Sequence, residues 1–316
     1  MQVLIDGAGA VGVAVGAGLA GAGCRVSFLA RGATLEAIRS GGVKRTGLLG
    51  TVEIPAGDVS ASDDYASFPP DTFDYVLVCA KTLANDAISR ALDAHRGMLK
   101  ADGKIVLLQN GWGNDAPYRR FFSPEQVWNA RVITGFQRTA PNVSEVTVYT
   151  EPVLLGSLYG LPSAPMEPLA AVLSASGLPA EASGQVSRAL WAKMVYNCTL
   201  NPLGAVLGLS YGALGECAET REIMDELMDE IFAVMHAAGY DTFWPDAASY
   251  REAFYGKLLP DTYHHNSSTL QDIRAKRPTE IGTLTGVILD LGKKHGVPTP
   301  VNATLYRLIR GLEKNY

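Results

Sequence analysis

The chain has 316 residues, a formal net charge of −5, 47% hydrophobic residues and 19% charged residues. Its length is about twice that of a typical domain, which predicts two domains, and the composition is that of a folded protein rather than a disordered one. The acidic balance and the lack of a long basic run argue against nucleic acid or a membrane surface as a partner. The sequence has no apolar run of membrane-spanning length and no signal-peptide pattern at its start, so we expect a soluble, cytoplasmic protein.

The cysteines and the paired histidines lack the spacing of a metal site. The four cysteines are isolated from one another along the chain: Cys24, Cys79, Cys198 and Cys217. Each lies in an apolar or helical context, which predicts reduced, buried thiols. His264 and His265 are adjacent, a poor geometry for sharing one ion, so we predict a solvated or hydrogen-bonded pair and no metal.

The first 29 residues contain two apolar segments separated by a glycine-rich turn. Residues 2–6 predict a strand, residues 25–29 predict a second strand, and a segment with helical potential precedes the second one. The turn between them comprises Gly7, Ala8, Gly9, Ala10, Val11 and Gly12. Strand, GxGxxG turn, helix and strand in this order predict a dinucleotide site with the pyrophosphate at the helix N-terminus. Gly7 would permit the tight turn, Gly9 the approach of the pyrophosphate and Gly12 close helix packing; a purely structural turn is the alternative.

The end of the second predicted strand favours NADPH over NADH. An NAD site usually has Asp or Glu there to hold the ribose 2′-hydroxyl, whereas this chain has Ala30, Arg31 and Gly32, with no acid before Glu36. Arg31 could pair with a 2′-phosphate, which a carboxylate would repel. A solvated surface arginine is the alternative.

Further strands are predicted through the first half of the chain. Residues 43–54 suggest a small hairpin, and 74–80 and 104–109 resemble buried parallel strands joined by a helix from about Leu83 to Leu99. Other strand-like runs lie near 127–134, 145–149 and 152–158. Ligands of a doubly wound sheet bind at the carboxyl ends of its strands, where Lys81 and Asn110 are placed by this prediction. A solvated lysine and a simple turn are the alternatives for these two residues.

The segment 186–208 is largely apolar and predicts a mostly buried helix. Lys193, Asn197 and Asn201 are spaced at i, i+4 and i+8 and so share one face of that helix. Because a buried ammonium and two amides need partners, this face is expected to line a polar cleft. A partly exposed helix edge is the alternative.

The C-terminal region predicts more helices. One spans roughly residues 219–238. Ser268 and Gln271 have the spacing of a capping box, and the segment from Pro278 to Ile281, which contains Glu280, has the pattern of another helix start.

Several of these motifs together resemble the ketopantoate reductase (2-dehydropantoate 2-reductase) family. They are GAGAVG near the N-terminus, QNGWG in mid-chain, LWAKMVYNCTLNPLGA, and the late SSTLQDI and TEI. The resemblance runs from residue 1 to about residue 310. It implies an α/β protein with an N-terminal Rossmann-type doubly wound sheet in residues 1–183. Residues 184–316 would form an all-helical substrate and catalytic domain, similar to the C-terminal domains of 6-phosphogluconate dehydrogenase relatives, with substrate in the cleft between the domains.

The resemblance also implies roles for individual residues. Lys193 would be the catalytic lysine that donates a proton to the substrate carbonyl oxygen, and Glu280 its acidic partner. Asn197 and Asn201 would bind the polar end of the substrate, and Ser268 its carboxylate. Asn110 would orient the nicotinamide or the substrate. Lys81 would lie beside NADP(H), and Arg31 would take its 2′-phosphate.

The expected reaction is NADPH-dependent reduction of 2-dehydropantoate to pantoate, a step towards coenzyme A. Trp112, where the family usually has a smaller or flexible apolar side chain, and the aromatic-rich residues 241–265 could reshape the substrate pocket. Reduction of another branched or aromatic 2-oxo acid is therefore an alternative. A third possibility is a non-catalytic NADP(H)-binding sensor. A homodimer is common among such enzymes and is the oligomeric state that we expect.

Overall fold

The protein, seen in a computed structural model that describes residues 1–315, consists of two compact units. The first comprises Met1–Gln109 and Asn114–Val186 and contains both sheets. The second comprises Asn110–Gly113 and the chain from Ser187 onward, and it is helical. The predicted fold class, a parallel sheet domain followed by a helical domain, is confirmed.

Twelve strands and eleven α-helices lie in the described residues. The strands are β1 Gln2–Asp6, β2 Arg25–Leu29, β3 Val43–Gly47, β4 Val52–Ile54, β5 Val59–Ser62, β6 Phe73–Val78, β7 Leu99–Leu107, β8 Val127–Arg131, β9 Gly135–Ala140, β10 Val143–Val148, β11 Val153–Gly156 and β12 Ala180–Ala182. The helices are α1 Ala10–Gly21, α2 Gly32–Gly41, α3 Asn85–Ala94, α4 Glu167–Ala175, α5 Val186–Leu207, α6 Tyr211–Glu216, α7 Ala218–Ala237, α8 Ala247–Ala253, α9 Ser268–Arg274, α10 Thr285–His295 and α11 Pro300–Glu313.

The larger sheet is doubly wound around β1. Its order is β12-β11-β8-β7-β6-β1-β2-β5, and all neighbours are parallel except the β11–β8 pair. Alternate residues of β1 enter two separate cores: Val3 and Ile5 pack with residues of α1 and α4, whereas Leu4 packs with residues of α3. Because strand side chains alternate between faces, a strand covered on both faces needs apolar residues at successive positions, as β1 has at Val3, Leu4 and Ile5.

A second sheet of four strands, in the order β4-β3-β10-β9, packs against α1. The helix is apolar on all sides because it has a sheet neighbour on more than one face. Arg45 of β3 is buried, and its Nη2 donates to the carbonyl oxygen of Ser176 at 2.7 Å, at the C-terminal end of α4. The negative end of a helix dipole favours a cation at that position.

The second unit is built around α7, whose buried residues include Met224, Leu227 and Ile231. Helices α6, α8, α10 and α11 all contact α7. The acidic residues on the rest of α7 are mostly exposed, as expected for the solvated side of an amphipathic helix. No helix within residues 1–315 combines the length and the apolar character needed to cross a membrane.

Several predicted element boundaries are wrong. The helix expected from Leu83 to Leu99 is confined to α3, because a 3₁₀ turn at Arg96–Met98 and the start of β7 take up its last residues. The hairpin in residues 43–54 is confirmed as β3 and β4, but the sequence did not predict its pairing with β10. Cys217 is exposed rather than buried, because it lies at the N-terminus of α7.

Candidate active site

The glycine turn has the geometry expected for each of its three glycines. Gly7 has φ of +101°, and a Cβ there would lie 2.4 Å from the backbone nitrogen of Ala80 on the neighbouring strand end. A Cβ on Gly12 would lie 2.1 Å from the carbonyl oxygen of Gly7, so only glycine allows α1 to begin this close to β1. A Cβ on Gly9 would meet no atom within 4 Å. The backbone at Gly9 therefore borders open space.

The N-terminus of α1 is suited to an anion. Gly9 is its N-cap, no side chain caps it, and no acidic residue lies in its first turn. The first N–H groups of a helix have no intrahelical acceptor and carry the positive end of the dipole. Together with the open space at Gly9, this fits the pyrophosphate of a dinucleotide.

A buried carboxyl lies directly before the glycine turn. Asp6 is 3% exposed and accepts a 2.5 Å hydrogen bond from the hydroxyl of Tyr65. Burial raises the pKa of Asp6 to about 6, although the Tyr65 hydrogen bond and the charge of Arg31 both act to lower it. Sequence reasoning missed this residue. An acid at the end of the otherwise apolar β1 was the available signal.

Arg31 and Lys81 lie at the carboxyl ends of two strands that flank β1. Arg31 follows β2 as the N-cap of α2 and is exposed, and no acidic residue is found in the first turn of α2. Lys81 follows β6, and it is also exposed. The preceding residues Cys79 and Ala80 donate their N–H groups to the carbonyl oxygen of Asp6. Both cations are thus placed at the edge of the sheet where the glycine turn lies, and their cofactor roles stay predictions.

In the second unit, Lys193 and Asn110 are in direct contact. The Nζ of Lys193 donates to the Oδ1 of Asn110 at 2.5 Å, a charge-assisted hydrogen bond between residues 83 positions apart in the chain. Both side chains are half-buried. The predicted lysine and the predicted mid-chain asparagine therefore belong to one constellation.

The turn that contains Glu280 packs against the Asn110 segment. The carbonyl oxygen of Thr283 accepts from the Trp112 N–H at 3.0 Å, and the Thr283 N–H donates to the carbonyl oxygen of Glu280 at 3.1 Å. A Cβ on Gly111, whose φ is +97°, would lie 2.4 Å from that Thr283 oxygen. The helix start predicted at residues 278–281 is wrong: Glu280 is half-buried in a turn, and α10 begins at Thr285.

The other two amides of the helix stripe have different surroundings. Asn197 is half-buried, one turn after Lys193. Asn201 is 3% exposed, and its Oδ1 accepts a 2.6 Å hydrogen bond from the hydroxyl of Tyr211. The stripe is confirmed as one side of α5, and Asn201 keeps its Nδ2 donor and one acceptor position of Oδ1 besides the bond from Tyr211.

Ser268 is not the cap of its helix. The N-cap of α9 is Ser267, which is buried and accepts from the Leu270 N–H at 3.0 Å. The Oγ of Ser267 also donates to the carbonyl oxygen of Asn201 at 3.3 Å. Ser268 is the first residue of α9 and is exposed, so its hydroxyl is not consumed by capping.

Sequence reasoning singled out Trp112 but did not predict that its ring would pack with those of Trp191 and Tyr240 beside the Asn110 segment. The rings of Trp112, Trp191 and Tyr240 lie with pairwise centroid distances of 5.1, 4.9 and 5.2 Å. Trp191 is fully buried and lies two residues before Lys193 on α5. The presence of a tryptophan beside each of the two polar residues was the available signal.

Sequence and structure comparisons identify the family. Residues 3–159 match the sequence model described as ketopantoate reductase PanE/ApbA, and residues 185–313 match the one described as ketopantoate reductase PanE/ApbA C terminal. The 2-dehydropantoate 2-reductase of Aquifex aeolicus is 32% identical over 314 residues, which cover 99% of this chain and 97% of that protein. The chain belongs to the ketopantoate reductase family. It is therefore an oxidoreductase, and this family uses a nicotinamide cofactor.

Solved structures agree with this assignment. A PanE/ApbA family ketopantoate reductase from Ralstonia eutropha JMP134 has a TM-score of 0.85 and 30% identity, covering 100% of this chain and 99% of that one. D-mandelate dehydrogenase, solved as a ternary structure with NADH and anilino(oxo)acetate, has a TM-score of 0.86 at 23% identity, covering 100% of this chain and 99% of that one. At that identity the second likeness concerns the fold alone.

Proposed function

We propose that this ketopantoate reductase family member reduces 2-dehydropantoate to pantoate with NADPH, and that Lys193 is the general acid. The observation that carries the proposal is the hydrogen bond between the Lys193 ammonium and Asn110, which holds the ammonium on a defined partner. It is supported by the family membership of the whole chain, since both family models match it.

NADPH, when bound, would supply the hydride to the substrate carbonyl carbon. The chain's part is to manage the charge that develops on the carbonyl oxygen as the hydride arrives. The Lys193 ammonium would first stabilise that oxygen electrostatically and then transfer a proton to it, which completes the alcohol. A proton from solvent would then restore the ammonium.

Holding the cofactor would be the task of the first unit. The open backbone at Gly9 and the N–H groups that begin α1 would bind the pyrophosphate. Arg31 would pair with the 2′-phosphate, at a position where no acid is present to hold a 2′-hydroxyl instead. Lys81 would lie beside the cofactor at the end of β6.

The remaining roles concern the substrate. Asn197 and the Nδ2 of Asn201 would bind its polar end, and the exposed hydroxyl of Ser268 would contact its carboxylate. Asn110 would orient the reacting groups while it holds Lys193. Glu280 would be the acidic partner in the closed site, held in its turn by the Thr283 N–H.

A second candidate is the reduction of a different 2-oxo acid. The contact between Tyr211 and Asn201 favours it, because the Tyr211 hydroxyl takes one of the two acceptor positions of the Asn201 Oδ1 and so leaves fewer for a substrate hydroxyl. A 2-oxo acid without a terminal hydroxyl would need no such acceptor.

The test is the consumption of NADPH by the purified full-length protein, followed by absorbance. Ketopantoate and a panel of branched and aromatic 2-oxo acids would be compared, each with NADPH and with NADH. We expect the highest kcat/KM for ketopantoate with NADPH. Turnover of only another 2-oxo acid would support the second candidate, and binding of NADPH with no turnover of any compound would refute both.

A further inference from the structure

The short segment Asn110–Gly113 has an unusual place in the chain. Its four residues belong to the helical unit, whereas Gln109 before it and Asn114 after it belong to the first unit. Two of its residues are glycines with positive φ, +97° at Gly111 and +76° at Gly113. Glycine restrains a backbone less than any other residue, so the conformation of Asn110 must be held by contacts from outside the segment.

Trp112 makes contacts of this kind through both its backbone and its ring. Its N–H donates to the carbonyl oxygen of Thr283 at 3.0 Å, and its side chain is only 9% exposed. Its ring packs on Trp191 at 5.1 Å and edge-on against Tyr240 at 4.9 Å. Aromatic pairs at these distances stabilise a packing arrangement beyond the effect of the area they bury.

The rings that receive Trp112 are themselves fixed. Trp191 is fully buried in α5, the helix that also carries Lys193. Tyr240 is followed by Thr242, whose carbonyl oxygen accepts from Arg188 of α5 at 2.7 Å and whose hydroxyl donates to the Arg188 carbonyl oxygen at 3.2 Å. Trp112 therefore ties the Asn110 segment to the helix that bears the proposed acid.

We propose that Trp112 is a positioning residue that acts through Asn110 to hold the Lys193 ammonium in its reactive place. The inference rests on the proposed function of Lys193. The lysine ammonium ends a flexible chain of four methylene groups, so its position depends on the hydrogen bond that the Oδ1 of Asn110 accepts. Misplacement by about 1 Å can cost on the order of 10²-fold in rate.

The test is a double-mutant cycle between Trp112→Ala and Asn110→Ala, read as kcat with saturating cofactor and substrate. We expect Trp112→Ala to lower kcat on the order of 10-fold or more, and the double variant to be no slower than Asn110→Ala alone, because both changes remove the same contact. Losses that multiply, or a Trp112→Ala variant with wild-type kcat, would overturn the proposal. If the alanine variant does not fold, the same cycle is run with Trp112→Leu.

Two further measurements separate positioning from general stability. Trp112→Phe keeps a ring in the cluster and should recover most of the lost kcat. Phe232→Ala removes a ring from the same unit, on α7, whose aromatic contacts are with His236 and Tyr250. It should lower Tm yet leave kcat unchanged below that Tm, and an equal loss of kcat in this control would count against the positioning role.

The pH profile gives a readout that loss of stability does not move. The Asn110 acceptor favours the protonated form of the Lys193 side chain, so loss of that contact should shift the alkaline limb of the kcat–pH profile to lower pH. We expect this shift in Asn110→Ala and also in Trp112→Ala. An alkaline limb at the wild-type position in Trp112→Ala would refute the positioning role. A wild type inactive on every 2-oxo acid would refute the proposed function itself.

Discussion

The glycine turn of the first unit and the Lys193 constellation of the second are built by different means. The glycine turn depends on backbone geometry and on the absence of side chains at Gly7, Gly9 and Gly12, which lie within six residues of one another. Around Lys193, side chains from three distant stretches meet, and buried aromatic rings hold them. The first kind of site is readable as a local motif, whereas the second exists only after the chain has folded.

The largest expected effect comes from removing the side chain of Lys193. Lys193→Ala should lower kcat by 10²-fold or more, the usual scale for losing a general acid. Binding of NADPH, measured by fluorescence titration, should stay near the wild-type value because the lysine lies in the other unit from the glycine turn. Near-normal turnover would remove Lys193 from the proposed role.

The next largest effect comes from adding a side chain to the glycine turn. Gly9→Ala should leave folding intact, because the added Cβ would meet no protein atom within 4 Å. It should weaken NADPH binding by about 10-fold or more, because the Cβ fills the space through which a phosphate would approach the backbone. Gly12→Ala is the matched contrast: its Cβ would lie 2.1 Å from the Gly7 oxygen, so we expect a lower Tm. Unchanged NADPH affinity in Gly9→Ala would place the pyrophosphate elsewhere.

A smaller effect concerns cofactor choice. Arg31→Asp should shift the ratio of kcat/KM for NADPH over NADH towards NADH, by about 10-fold, because a carboxylate repels the 2′-phosphate and can bind a 2′-hydroxyl. Arg31→Ala, which removes the cation without adding an acid, serves as the control and should move the ratio less. A ratio unchanged in both variants would mean that another group reads the 2′-phosphate.

The smallest effect is on stability and comes from Asp6. Its pKa is about 6 in the folded protein against 3.8 as the ordinary value, so the folded state binds more protons in this window. The contribution of Asp6 to the free energy of unfolding is therefore fully present below pH 3.8 and is lost as pH rises through about 6. About 1.4 kcal/mol of that contribution is lost between pH 5 and pH 8. Asp6→Asn removes this titration, so its Tm advantage over wild type should grow from pH 5 to pH 8. A constant difference in Tm across that range would contradict the assignment.

The elements that carried strong local patterns were predicted well. The order β1, glycine turn, α1, β2 follows from apolar runs that end at glycines, and the long helices α5 and α7 follow from their length and composition. Element boundaries that depend on single contacts were not predicted well. Residues 278–281 form a turn and not the predicted helix start, and a buried Ser267 rather than Ser268 caps α9, because both depend on partners distant in the chain.

The amino-acid sequence alone was enough to predict the two-part fold class, the glycine turn, the family and the set of residues proposed for the chemistry. These follow from short-range rules, in which periodicity selects the element and glycine spacing selects the turn. Three contacts became visible only in the folded chain: Asn110 accepts from Lys193, Tyr211 donates to the Oδ1 of Asn201, and Trp112 packs on Trp191 and Tyr240. Such contacts join residues tens of positions apart, and a single sequence contains no local signal for which distant partner a buried polar or aromatic side chain will meet.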